Sequence, residues 1–109
     1  MTRRSKRTRV DPFEAPARPR VVRLMTDYGA FPVWWPDGCA SPDELPISDD
    51  LVAALWSWAA TFDQLVGRDF EWPSAEVHDR FVDEGYRLWR RLQTELGPEW
   101  TVEFDSGRA

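Results

Sequence analysis

The chain has 109 residues, a formal net charge of −5, 42% hydrophobic residues, seven tryptophans, one histidine, one cysteine and no asparagine. This length accommodates one domain whose modest core buries roughly two-thirds of the surface of the unfolded chain. A lone Cys39 excludes an internal disulfide and a thiolate metal cluster. No apolar run approaches a membrane span, and the arginine-rich start is followed by Pro12, Glu14, Pro16 and Pro19 rather than the apolar stretch of a secretory signal, so the chain is expected in the cytoplasm.

Charge divides unevenly. Residues 1–20 hold seven basic and two acidic residues, leaving seven basic and seventeen acidic in the remainder. Arg3, Arg4, Lys6, Arg7 and Arg9 head a proline-spaced segment with too little apolar surface to offset the entropy of ordering, which predicts a disordered basic tail over 1–20. Val21 to Thr26 is β-branched and apolar and stops at Asp27-Tyr28-Gly29, as a strand does. Phe31 to Trp35 precedes the turn Pro36-Asp37-Gly38, and Pro32 restricts this segment to a short edge strand or an ordered aromatic loop.

Ser41 to Pro46 reads as loop. Ser48 then opens a helix: its hydroxyl caps the first turn, Asp49 and Asp50 meet the positive end of the dipole, and Ile47 staples onto Val52. Leu51, Leu55, Trp58, Ala59, Phe62 and Val66 form one apolar stripe, with Trp56 beside it and partly exposed, and Gly67 is placed to end the helix. Ser74 caps a second helix that runs to Leu96 before Gly97-Pro98, with Val77, Phe81, Gly85, Leu88, Leu92 and Leu96 on its buried face and Trp89 at its side. A glycine inside a helix costs about 1 kcal/mol relative to alanine, so Gly85 implies a close approach by a neighbour, with Trp58 the candidate.

Trp100 to Phe104 alternates apolar and polar residues like a half-buried strand. The order β(β)ααβ predicts a single α+β domain over 21–105, followed by a disordered end over 106–109. A helical hairpin should cover one face of a small sheet, onto which Val22, Leu24, Trp100, Val102 and Phe104 project. Exposed edges of so small a sheet invite a partner.

Reactive groups are sparse. His78 lacks the His-x-x-x-His or Cys-x-x-Cys company of a metal site and reads as a solvated or helix-capping residue, so no metal is expected. Cys39 has no base in view and reads as a passive small residue. No glycine-rich phosphate loop is present, and no cofactor is expected. A small hydrolase would need the loop carboxylates Asp27, Asp37, Asp43 and Glu44 to converge, or a cleft that gathers Asp27, His78 and another polar group.

Aromatic faces beside carboxylates hold cations well, which directs attention to Tyr28, Trp34 and Trp35 near Asp37, Asp43 and Glu44. Neighbours in an extended segment point to opposite sides, so one member of the Trp34–Trp35 pair should be exposed. Two partner classes follow: a protein with a basic surface meeting these residues, or nucleic acid bound through the phosphates by Arg3, Arg4, Lys6, Arg7 and Arg9. The strongly acidic body and the absence of a basic aromatic groove favour the protein.

From Val22 to Phe104, Leu24-Met25-Thr26-Asp27-Tyr28-Gly29, Val33-Trp34-Trp35, Leu45-Pro46-Ile47-Ser48 with Leu51, Leu55 and Trp58-Ala59, Phe62-Asp63, and Leu92 to Gly97-Pro98-Glu99 resemble a group of small, uncharacterised acidic actinobacterial proteins. Several of these look like immunity or antitoxin partners. The resemblance implies a non-enzymatic protein-binding module that occupies the basic cleft of a toxin, and it carries no catalytic residue with it.

Overall fold

The computed structural model describes residues 19–66 and 71–105. The basic cluster Arg3, Arg4, Lys6, Arg7 and Arg9, and Gly67 as a helix stop, lie outside the described residues. The elements are β1 (Val21–Leu24), β2 (Val33–Trp35), β3 (Gly38–Cys39), α1 (Asp49–Leu65), α2 (Ala75–Leu96) and β4 (Thr101–Phe104), with a 3₁₀ turn over Pro42–Glu44. The strands form one mixed sheet in the order β3-β2-β1-β4, with β1 antiparallel to β2 and parallel to β4. This is the expected α+β arrangement.

Alternation along the strands decides which face the helices cover. Val22, Leu24, Val33, Trp35 and Val102 are buried, whereas Arg23, Thr101 and Glu103 between them are exposed. The first group joins Leu51, Leu55 and Trp58 of α1 and Phe81, Leu88, Leu92 and Leu96 of α2 in one core. Burying each large aliphatic side chain contributes about 1.5–3 kcal/mol, so this shared core, rather than helix propensity, fixes the layers.

Helix ends follow local chemistry. Ser48 Oγ accepts from Leu51 N at 3.1 Å, and Ser74 Oγ accepts from Val77 N at 3.1 Å. Gly97, at φ 98°, stands at the end of α2 in a conformation that a side chain would disfavour. The Glu95 carboxylate adds a long-range tie, accepting from Ser48 N at 2.7 Å and Ser48 Oγ at 2.9 Å, so the start of α1 is bolted to the last turns of α2.

Two expectations need correction. The segment at Val33–Trp35 is an interior strand rather than an edge, because the two-residue β3 pairs with its other side through Trp34↔Cys39 and Trp35↔Gly38. Pro32 permits this by preceding the strand, where its carbonyl accepts from Met25 N at 2.9 Å and its missing N–H costs no ladder bond. The edge at β4 is also less open than expected. Trp89 Nε1 donates to Val102 O at 2.6 Å, and Gln93 accepts from Val102 N at 3.3 Å and donates to Trp100 O at 2.8 Å, so α2 side chains occupy the groups a further strand would need.

Candidate partner-binding surface

Tryptophan's large ring and single donor suit it to joining elements, and four of the seven do so here. Trp34 Nε1 donates to Met25 O at 2.9 Å, Trp35 Nε1 to Glu44 Oε1 at 2.9 Å, Trp58 Nε1 to Phe81 O at 3.0 Å, and Trp89 to β4 as above. Trp72 and Trp100 pack as half-buried rings against the core. Trp56 differs. It is 44% exposed, touches Phe31 with ring centroids 5.2 Å apart, and among the described residues its N–H has no hydrogen-bond partner.

The six residues expected at a partner surface fall into two groups. Tyr28, 42% exposed, and Asp37 and Asp43, also exposed, stand in the β1–β2 loop, the β2–β3 turn and the 3₁₀ turn respectively. Trp35, only 7% exposed, lies on the core side of the sheet, and its indole is held by Glu44, whose carboxylate also accepts from Ser41 N at 3.0 Å and closes the capping box of the 3₁₀ turn. The pair Trp34–Trp35 does straddle the sheet, but the outer member is half-buried rather than exposed, because its N–H folds back onto Met25 O. The exposed indole is Trp56, on α1.

Charge is segregated by element. Residues 24–67 contain Asp27, Asp37, Asp43, Glu44, Asp49, Asp50 and Asp63 but no lysine, arginine or histidine. All seven carboxylates are on exposed residues. Among the described residues the arginines belong to β1, its preceding residue and α2, where Arg20–Glu99, Arg23–Glu103, Arg87–Glu84 and Arg91–Glu95 form ion pairs. The stretch of chain from the β1–β2 loop through α1 therefore contributes carboxylates and no cation of its own, which adds negative potential there and favours the approach of a cationic partner.

α1 supplies three of the seven, Asp49, Asp50 and Asp63. Its exposed residues Asp49, Ala53, Trp56, Ala60 and Asp63 recur at intervals of four and three, which places them in one stripe opposite the buried Leu51, Leu55 and Trp58. At about 1.5 Å per residue the stripe is roughly 20 Å long. Tyr28 continues it at the C-terminal end: its ring lies 5.0 Å from Phe62, and the neighbouring Gly29 N donates to Asp63 Oδ2 at 3.3 Å.

The groups considered for chemistry lie elsewhere. His78 is half-buried against Trp72 at 5.0 Å, and among the described residues its enclosed Nε2 has no hydrogen-bond partner, so that side of the ring is packed rather than solvated. The contact path from His78 to Asp27 runs through the rings of Trp72, Phe62 and Tyr28. A groove of about 480 Å³ between the helices, lined by Trp58, Thr61, Val77, Arg80, Phe81 and Glu84 among others, includes neither residue. The same holds for a depression on the open sheet face bounded by Arg23, Trp34 and Glu103. Among the described residues, no three His, Cys, Asp or Glu side chains gather as a metal site would require. Desolvation raises the pKa of the Cys39 thiol above its ordinary value, and the charges of Glu44 and Asp27 add to the rise, the reverse of the activation a nucleophile needs.

The cation-free run over residues 24–67 is legible in the sequence, although the net charge of the whole body conceals it. The α1 stripe has a sequence signal too, since Asp49, Ala53, Trp56, Ala60 and Asp63 repeat the spacing of the buried face on the opposite side. No curated protein matches the chain. The family described as Serratia CdiI immunity protein-like matches residues 20–107, a span that takes in every described element.

Proposed function

The chain belongs to the Serratia CdiI immunity protein-like family, and from that premise we propose that it is a non-enzymatic immunity protein that binds a toxin and neutralises it by covering a basic surface. The observation that carries this reading is the flank of seven exposed carboxylates without a cation in the same stretch of chain. Toxins that act on nucleic acids or other anions need basic clefts, and an acidic flank competes for such a cleft while electrostatic steering accelerates the encounter. Tyr28, Trp34, Asp37 and Asp43 are assigned to contact, and Trp35 with Glu44 to holding the 3₁₀ turn that presents Asp43. The setting is the cytoplasm; no described helix is long and apolar enough to cross a membrane.

The test is protection. A candidate toxin domain, sought among the genes flanking the one for this chain, is expressed in a sensitive host with and without the full chain, and the purified pair is mixed and examined for complex formation. Growth restored only in the presence of the chain, together with a stoichiometric complex, is the expected result. Continued growth arrest with no complex would sink the immunity reading.

A further inference from the structure

We propose that the outward stripe of α1, centred on Trp56 and flanked by Asp49, Asp50 and Asp63, is the anchor at which this protein grips an arginine- or lysine-bearing surface of its toxin partner. The inference rests on the immunity reading above and names the site within it.

Four features support the assignment. First, Trp56 is the exposed indole among rings otherwise committed to the fold, with its N–H unpaired among the described residues. Second, it is uncovered by long side chains of its own helix: Asp49–Leu65 contains no lysine or arginine whose aliphatic stem would lie across it, the usual shield for an apolar residue on a helix surface. Third, its neighbours one turn away in each direction are the exposed alanines Ala53 and Ala60, which leave the ring standing proud and allow a partner backbone to come close. Fourth, carboxylates mark both ends of the stripe in a segment that lacks cations, so a basic surface laid along it would meet the indole at the middle and a carboxylate about 10 Å along the helix on either side. Tryptophan is the best aromatic partner for a cation, and tryptophan and arginine are enriched among residues that dominate protein interfaces.

Tyr28 extends the surface beside Asp63, and Phe31 supports the Trp56 ring from beneath. Recognition of this kind lays one helix face against a partner and needs no strand addition. The exposed Tyr86, by contrast, belongs to the opposite flank, where it packs on Trp89 and Phe104 among the paired charges of α2.

The experiment uses the full chain and the toxin domain that the protection test identifies, with affinity measured by titration calorimetry. Trp56→Ala should weaken binding by roughly 30-fold or more, the scale of an interface anchor. Ala60→Arg, which removes no contact within the fold and sets a long cation on the stripe, should weaken it by at least about 10-fold. Tyr86→Ala should leave it within about threefold. Thermal unfolding of each variant confirms that the fold is kept. If the wild type binds and Ala60→Arg binds equally well, the anchor lies elsewhere and this inference fails while the immunity reading stands. If the wild type does not bind the toxin domain, both fail.

Discussion

Replacing Gly85 by alanine sets two known energies against each other. Helix propensity alone favours the change by about 0.8–1 kcal/mol. In α2, however, a Cβ at residue 85 would stand 2.6 Å from Phe104 Cζ, 2.6 Å from Trp58 Cζ2 and 3.0 Å from Phe104 Cε1. Trp58 has little freedom to retreat, being stacked on Phe81 at 4.6 Å with planes 10° apart and held by its bond to Phe81 O. Phe104 is half-buried and meets Tyr86 edge-on at 4.8 Å, so it is the side that yields. Overpacking a well-filled site costs typically 1–3 kcal/mol, which exceeds the propensity gain over most of its range and leaves a net loss of about 1 kcal/mol. For a domain of this size that lowers Tm by about 4–8 °C, measurable by thermal and urea denaturation of the full chain. Phe104→Leu, which deletes the yielding ring, should cost less in the Gly85→Ala background than alone. A Tm equal to or above that of the wild type would show that the glycine is not required by packing, and the account of the α1–α2–β4 contact would be wrong.

Three further outcomes are expected. Ser48→Ala should destabilise more than Ser74→Ala, by about 1 kcal/mol in urea unfolding, because both lose a cap but only Ser48 Oγ also donates to Glu95. Alkylation of Cys39 at neutral pH should run slower than that of an unstructured cysteine peptide, with the gap narrowing as pH rises, because the raised pKa keeps the thiol protonated where a free one has begun to ionise. Stopped-flow association with the toxin domain should slow several-fold between about 0.05 and about 0.5 M salt while dissociation changes little; a salt-independent rate would remove steering by the acidic flank from the argument.

What the sequence revealed and what it concealed divide along the range of the interactions. Both helices, their serine caps, the Gly97 stop and the need for close approach at Gly85 follow from neighbours within a few positions, and each was legible. The interior position of β2 was not, because it depends on a two-residue β3 too short to leave a period of its own. Glu44 reads as a partner-surface carboxylate and Glu95 has no signal in its own neighbourhood, yet the first clamps an indole 9 residues away and the second a helix start 47 residues away. The partial cover over His78 is hidden for the same reason, since it comes from Trp72, six positions earlier and outside the helix. On the candidate surface, the exposure of Tyr28, Asp37, Asp43 and Trp56 agrees with their turn and helix-side positions in the sequence, whereas the burial of Trp35 depends on which face of the sheet the helices cover.

The tryptophans also bear on how a partner can bind. Small sheets offer their edges first, since unpaired backbone groups attract any extended segment regardless of sequence. Here α2 closes β4 with Trp89 and Gln93, and the other edge is a strand of two residues, Gly38–Cys39. Backbone pairing, the least selective mode of association, therefore has little surface to use. Recognition passes to side chains, where sign of charge and ring placement discriminate between partners. An immunity protein needs that discrimination, because it must seize one toxin while ignoring the other proteins around it. On the proposed α1 surface, carboxylates alone would attract any cation, and an indole fixed between two alanines would add a shape that only a matching surface can meet.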